Sequence, residues 1–128
     1  MTKSDSDLHP SGSGAGLFNW LNRRSAGVLV HPTSLPSAYG VGAFDQTAHD
    51  LIDFFADSGI EYWQLCPLGP TGYGDSPYQC FSSFAGNPYL IDPAPLVKAG
   101  VLSNADVEPL RQLSSEHVDY GALYERKR

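Results

Sequence analysis

Apolar residues run without a break from Ala26 to Val30 and stop at His31-Pro32. A short continuous run that is rich in β-branched residues is typical of a strand buried on both faces, which favours a parallel sheet. A second β-rich segment extends from Ile60 to Cys66 and ends at Pro67, which cannot donate a hydrogen bond to a neighbouring strand. The pattern therefore predicts two strands, 26–30 and 60–66.

Between these strands the apolar positions follow a helical period from Asp45 to Gly59. One face of this helix would carry Ala48, Leu51, Ile52 and Phe55. Asp45 suits the N-cap, and Gly59 suits the left-handed position after the last turn. Strand, helix and strand in about 40 residues form a βαβ unit with a right-handed crossover.

The loops that follow the strands, 31–44 and 67–95, are long, whereas the helix-to-strand loop is short. In a (β/α)8 barrel, the loops after the carboxyl ends of the strands build the active site. Such a barrel needs about 250 residues, and two parallel strands leave unpaired edges. The predicted fold class is α/β, the N-terminal βαβ portion of a (β/α)8 TIM barrel that is incomplete in this chain.

The two ends of the chain differ in pattern. Residues 1–16 are rich in Ser, Gly and Asp and predict a disordered leader on a cytoplasmic protein. Near the other end, Ser103 and Asp106 have capping-box spacing, which predicts a helix over 104–113. A further helical stretch is predicted to begin near Asp119.

Composition and charge exclude several kinds of partner. The net charge of the 128 residues is -6, and the only basic cluster is 126–128, which argues against nucleic acid. The longest apolar run is too short to cross a bilayer. The histidines lack metal-ligand spacing, and Cys66 and Cys80 are interpreted as inert thiols. No phosphate-binding glycine motif is present, so neither a metal nor a cofactor is predicted.

The stretch LGPTGYGDSPYQCFSSFAGNPYLI, residues 68–91, carries five aromatic rings, four glycines and the single charge of Asp75. A sugar ring presents an apolar face and a rim of hydroxyl groups, so its site combines flat aromatic rings with hydrogen-bonding partners. Tyr73 and Tyr78 flank the charge and are the better ligand candidates. Phe81 and Phe84 are interpreted as rings that pin the loop to the domain. Further hydrogen-bonding side chains are Thr71, Ser76, Gln79, Ser82, Ser83 and Asn87.

Two residues keep two interpretations each. Asp75 either caps nearby backbone N–H groups or contacts a ligand directly. His31 follows the first strand and either faces the barrel mouth or forms a structural hydrogen bond. No nucleophile and base at recognisable spacing are present.

Three segments of the sequence resemble the opening part of the 4-α-glucanotransferases (amylomaltases, glycoside hydrolase family 77). They are GVLVHPTSLPSAYGVG (27–42), YWQLCPLGPTGYGDSPYQCFSSFAGNPYLID (62–92) and VDYGALYERKR (118–128). The resemblance implies that 17–128 is the N-terminal segment of a TIM-barrel catalytic domain that transfers part of an α-1,4-glucan to a new 4-hydroxyl. It also implies that the three catalytic carboxylates lie beyond Arg128, so this segment would be inactive alone.

Position by position, the resemblance makes Tyr78 an aromatic platform near the cleavage point, with Ser76 and Asp75 close to the same glucose. Tyr73 resembles a tyrosine that contacts glucan outside the cleavage site, and Asn87 is expected to fix the loop. The partners implied are α-1,4-glucans and maltooligosaccharides. A non-catalytic glucan-binding module and a fragment that does not fold remain the alternatives.

Overall fold

A computed structural model describes residues 23–127, so the leader predicted over 1–16 lies outside the described residues. The elements follow the order β1 (Gly27–Leu29), α1 (Gln46–Asp57), β2 (Tyr62–Gln64), α2 (Pro93–Lys98), α3 (Asn104–Arg111) and α4 (Tyr120–Arg126). Two short 3-10 helices, Pro32–Ser34 and Pro88–Leu90, lie in the long loops after β1 and β2. None of the helices in the described part reaches the length and hydropathy that crossing a membrane requires.

The two strands pair in parallel, with Gly27 opposite Tyr62 and Leu29 opposite Gln64. Helix α1 connects them, which confirms the predicted βαβ unit. Both strands are shorter than predicted, although hydrogen bonds continue past each end: Glu61 N donates to Ala26 O at 3.0 Å and Val30 N donates to Gln64 O at 3.3 Å. The indole of Trp63 also donates to Val30 O at 2.8 Å, which fixes the point where the chain leaves β1.

The prediction that β1 is buried on both faces is wrong for this chain. Leu29 is 55% exposed, and the exposure pattern of the strand is exposed, half-buried, exposed. A parallel sheet buries both faces only when further strands and crossover helices flank it. Within residues 23–127, the sheet has two strands and one crossover helix.

Helix α1 begins and ends as its sequence predicts. The Asp45 carboxylate accepts from Ala48 N at 3.2 Å, and Gly59 has a left-handed φ of 71°. Phe55 is buried and meets the ring of Trp63 edge to face at 6.1 Å. Ile52, predicted on the same face, is 48% exposed.

The carboxyl-terminal helices form the other half of the fold. The capping box of α3 is present as predicted, and hydrogen bonds from the Ser103 side chain and backbone hold the pKa of Asp106 below its usual value. Helix α4 begins after Asp119, also as predicted. Helix α2 was not predicted because Pro93 and Pro95 obscure its helical pattern, although Pro93 occupies a position in the first turn where proline is accepted.

A cluster of Val41, Leu110 and Leu123 forms a buried core among the described residues. These side chains come from the loop after β1, from α3 and from α4, and each is at most 5% exposed. The long loop after β1 is therefore held against the two carboxyl-terminal helices. This packing places α4 beside the second 3-10 helix and the loop that precedes it.

We expect Asp45→Ala to lower the free energy of unfolding by about 1 kcal/mol, since an N-cap carboxylate satisfies an orphan backbone N–H of the first turn. Asp45→Asn should retain most of the stability because asparagine caps equally well. Urea unfolding followed by circular dichroism measures both changes. Equal losses in the two variants would show that the charge of Asp45, rather than its capping bond, stabilises the protein.

Candidate functional site

The 68–91 loop is closed by an antiparallel bridge between Thr71 and Cys80. Next to this bridge, on the side away from the loop tip, Phe81 N donates to Pro70 O at 3.3 Å. At the tip, Gly74 has a φ of 93° and Asp75 a φ of 53°, and Asp75 is the non-glycine residue with positive φ among those described. The loop therefore forms a narrow finger whose tip turns sharply at the charged residue.

Asn87 fixes the base of this loop, as predicted. The residue is 9% exposed, its Nδ2 donates to Gly69 O at 3.2 Å, and its Oδ1 accepts from Tyr89 N at 3.0 Å. The Cys80 thiol adds a contact to Gly69 O at 3.3 Å. Both cysteines are free thiols. A buried amide thus joins the two ends of a segment that has little regular structure.

A groove of about 890 Å³ lies between the tip of the loop and helix α4. We name it the tyrosine groove because aromatic hydroxyls dominate its walls: Tyr73 from the loop, Tyr89 from the second 3-10 helix, and Tyr120 and Tyr124 from α4. Asp75, Phe81 and Glu125 also line the groove. Such a combination of flat rings with a few acceptors suits a neutral hydroxylated ligand.

The four sequence-predicted site residues separate into two pairs. Tyr73, which is fully exposed, and Asp75 both line the tyrosine groove. Tyr78 is 71% exposed and Ser76 is half-buried, and neither belongs to the lining of this groove. The structure thus brings Tyr73 and Asp75 together and leaves Tyr78 and Ser76 outside the groove, on the following turn of the same loop.

Tyr78 has a contact that the sequence did not suggest. The Cys66 thiol, next to β2, donates to the Tyr78 hydroxyl oxygen at 3.5 Å. At high pH the phenol donates this hydrogen bond to the thiolate instead, so the bond with Cys66 is the main cause that raises the pKa of Tyr78 above its usual value, and the negative charge of the sulfur acts in the same direction. Tyr78 therefore stays a neutral phenol throughout the physiological range, with its ring open to solvent.

The interpretation of Phe81 and Phe84 as rings that pin the loop to the domain is wrong. Phe81 is 72% exposed and Phe84 is 101% exposed. The pinning is done by the Asn87 amide, and no described element packs over the two rings. Phe81 instead lines the tyrosine groove, whereas Phe84 projects away from a turn that Ser82 Oγ caps by accepting from Phe84 N at 3.2 Å.

Sequence reasoning missed the contribution of α4 to the groove. Tyr120 and Tyr124 are four residues apart, a spacing that places them on one side of a helix, and this was the signal available. The ring of Tyr120 lies 6.1 Å from the ring of Tyr89 at an angle of 55°. What the sequence did not indicate is that this helix lies against the distant 68–91 loop.

Lys127 fastens α4 to the second 3-10 helix. Its Nζ donates to Tyr89 O at 3.0 Å and to Ile91 O at 3.1 Å. Burial of the ammonium lowers the pKa of Lys127 to about 8, although Asp92 and Asp45 nearby favour the charged form. This lysine therefore sets the position of the tyrosine-bearing helix against the wall that carries Tyr89.

Among residues 23–127, no group of three or more His, Cys, Asp or Glu side chains is placed to hold a metal ion. The tyrosine groove contains two carboxylates, Asp75 and Glu125, among aromatic rings. These rings and carboxylates can stack against a ligand and accept hydrogen bonds from it.

Comparisons with known proteins agree on one family. The sequence model described as 4-alpha-glucanotransferase matches residues 30–128. The 4-alpha-glucanotransferase of Thermus thermophilus is 54% identical over 101 residues, which are 79% of this chain and 19% of that protein. The 4-alpha-glucanotransferase of Streptococcus pneumoniae is 48% identical over 109 residues, which are 84% of this chain and 22% of that protein.

A solved structure gives the same result. The amylomaltase from Streptococcus agalactiae, in complex with acarbose, matches with a TM-score of 0.75 and 41% sequence identity. The match covers 83% of this chain and 22% of that structure. The chain thus spans about a fifth of the length of the relatives it matches.

We expect the free energy of unfolding to rise with pH above pH 8 because of Lys127. Its pKa is about 8 in the folded chain and about 10.5 ordinarily, so in this window the unfolded chain binds the extra proton. Allowing for the part of the side chain that stays in solvent, the gain is about 1 kcal/mol between pH 8 and about pH 9.5.

Chemical unfolding at several pH values measures this rise, and Lys127→Met should abolish it. Because other groups titrate in both proteins, the informative quantity is the difference in slope between wild type and variant. Identical slopes would show that Lys127 is not buried against the carbonyl groups.

Proposed function

Since this chain belongs to the 4-alpha-glucanotransferase family, we propose that it supplies one wall of the substrate site of such an enzyme. The reaction would transfer a segment of an α-1,4-glucan to a new 4-hydroxyl in an acceptor carbohydrate. In this proposal the nucleophile, the acid/base residue and the third carboxylate are expected beyond Arg128, so the chain alone is inactive. We also propose a cytoplasmic location, a reducing compartment with which the free thiols of Cys66 and Cys80 agree.

The observation that carries the proposal is the exposure of Tyr73 in a groove that other tyrosines and two carboxylates line. Tyr73 lies beside three other tyrosine side chains in the groove, so a ligand bound there would cover its ring, whereas the equally exposed Phe84 is outside the groove lining. The apolar face of a glucosyl unit is a suitable cover, and its hydroxyl rim matches the phenol and carboxylate groups. The relative from Streptococcus agalactiae was solved with acarbose, a sugar-like ligand.

We assign the two exposed tyrosines of the loop to different parts of a bound glucan. Tyr73 and the tyrosine groove would hold glucan outside the cleavage site, as the resemblance implies. Tyr78 would form the platform near the cleavage point, with Ser76 and Asp75 close to the same glucose. The separation of Tyr78 from the groove lining supports two sites on one loop rather than a single continuous one.

We further propose that 17–128 is the opening βαβ portion of a (β/α)8 barrel. The exposed side chain of Leu29 and the parallel pairing of β1 with β2 support this, because parallel strands are buried when further strands and helices flank them. In such a barrel the 68–91 loop would leave the carboxyl end of β2, on the face where active sites form.

A non-catalytic glucan-binding module is the second candidate. One observation favours it: the tyrosine groove offers aromatic rings and hydrogen-bonding side chains, which suit binding of a sugar. The two candidates differ in whether the chain transfers glucan, and they share the ligand.

We expect the 128-residue chain to bind maltoheptaose through Tyr73. Tyr73→Ala should weaken binding about tenfold, since a stacked ring contributes beyond its buried area, and Tyr73→Phe should retain most of the affinity. Isothermal titration calorimetry measures both. Phe84→Ala is the matched control, because Phe84 is equally exposed but lies outside the groove lining. Equal effects of Tyr73→Ala and Phe84→Ala would remove Tyr73 from the site.

We expect Tyr78 to act on transfer rather than on binding at the groove. In a chimaera that joins this chain to the remaining part of the Thermus thermophilus relative, Tyr78→Ala should lower maltooligosaccharide transfer by about tenfold to a hundredfold. The 128-residue chain with the same substitution should still bind maltoheptaose, because Tyr73 and the tyrosine groove are intact. Unaltered transfer kinetics would exclude Tyr78 from the reaction site.

A further inference from the structure

The backbone that carries Tyr78 is held in a tight turn. Gln79 N donates to Ser76 O at 2.9 Å, so Pro77 and Tyr78 occupy the two central positions of a β-turn. Proline suits the first of these positions because its φ is already restricted. The sulfur of Cys80 lies 3.1 Å from Pro77 O and ties the turn to the base of the loop. The main chain at Tyr78 is therefore fixed.

A fixed main chain does not by itself fix the ring of Tyr78. The side chain is 71% exposed, and the first torsion of an exposed side chain has three staggered wells. Within residues 23–127 the Tyr78 hydroxyl has a polar contact with one side chain, that of Cys66, whose Sγ lies 3.5 Å away. This contact therefore distinguishes one orientation of the ring from the others.

Cys66 belongs to a restricted part of the chain. It lies two residues after Gln64, the last residue of β2, and directly before Pro67. A residue that precedes proline is biased towards extended backbone, and the Cys66 side chain is half-buried. The thiol is thus anchored beside the sheet, whereas its partner Tyr78 lies in the loop.

The contact between Cys66 and Tyr78 exists whichever group donates. A thiol and a phenol each carry one hydrogen and each can accept, so S–H···O and O–H···S are both open to the pair. The raised pKa of Tyr78 has its hydrogen bond with Cys66 as the largest cause. The interatomic distance and the direction of the pKa shift thus identify the same partner.

We propose that Cys66 is a positioning residue for Tyr78, because its thiol holds the phenol in one orientation before a glucosyl unit stacks on the ring. The inference rests on the proposed function, in which Tyr78 is the platform near the cleavage point. A ring that is already oriented loses less conformational entropy on binding, and stacking depends on the relative angle of the two faces. Cys66 acts through Tyr78 and does not contact the sugar.

Titration of the phenol in the 128-residue chain tests the contact. With fluorotyrosine placed at position 78, the fluorine resonance follows the ionisation of this one ring. We expect Cys66→Ala and Cys66→Val to lower the pKa of the phenol, because both variants lack the thiol and the valine keeps a side chain of similar size. Cys80→Ser is the control, since it removes a thiol from the same loop and leaves the partner of Tyr78 in place.

Transfer by the chimaera with the Thermus thermophilus relative tests the consequence. Cys66→Ala should lower kcat/KM for maltooligosaccharides about twofold to fivefold, as expected for the loss of one weak hydrogen bond. In a Tyr78→Phe background the same substitution should have no further effect, because the hydroxyl that Cys66 holds is already absent. A role of Cys66 in folding alone would give the same loss in both backgrounds.

Three results would overturn the inference. A phenol pKa that Cys66→Ala leaves unchanged would show that the thiol does not hold Tyr78. An equal loss of transfer with and without the Tyr78 hydroxyl would assign the effect to folding, and full transfer by Cys66→Val would assign it to packing. A wild-type chimaera that does not transfer glucan would count against the proposed function, and the phenol titration would still decide whether Cys66 holds the ring.

Discussion

Parallel pairing of β1 with β2 is the constraint on which the rest of the structure depends. Because the strands run in the same direction, the residues that follow both strands leave the sheet at one edge. His31 follows the first strand, and the 68–91 loop follows the second. These segments are therefore close in space although they are far apart in the sequence. A cavity of about 150 Å³ that His31 and Asp75 both line lies where they meet, and an antiparallel pair would have sent them to opposite ends.

The elements that could be predicted from the sequence are those whose signals are local. Asp45 and Gly59 bound α1, and Ser103 with Asp106 marks α3, because caps act over three or four residues. Burial of Leu29 could not be predicted in this way. Its environment depends on what flanks the sheet, and periodicity indicates which residues are apolar without showing what covers them.

The same distinction explains what was found of the candidate site. Tyr73 and Asp75 were recognisable because a charge and an aromatic ring stand together in a loop rich in glycine and proline. The opposite wall was not, because Tyr124 lies far along the chain and reaches the groove through the packing of Leu123 and the bonds from Lys127 to Tyr89 O and Ile91 O. The prediction for Phe81 was wrong for a related reason. The buried amide of Asn87 anchors the loop, so the aromatic rings of the loop are not needed for this and lie exposed at the surface.

Several neighbouring residues around this site have features that are unfavourable for the stability of the fold. Asp75 holds a left-handed backbone, Tyr73 is exposed to solvent, and His31 Nε2 is buried without a partner in the described part of the chain. A left-handed backbone at a non-glycine residue and a buried nitrogen without a partner are each unfavourable alone. Asp75 lines both the tyrosine groove, where Tyr73 lies, and the adjoining cavity of about 150 Å³ that His31 also lines. A hydroxylated ring bound in the groove would cover Tyr73 with its apolar face and present hydroxyl groups to Asp75, because such a ring is apolar on one face and polar at its rim.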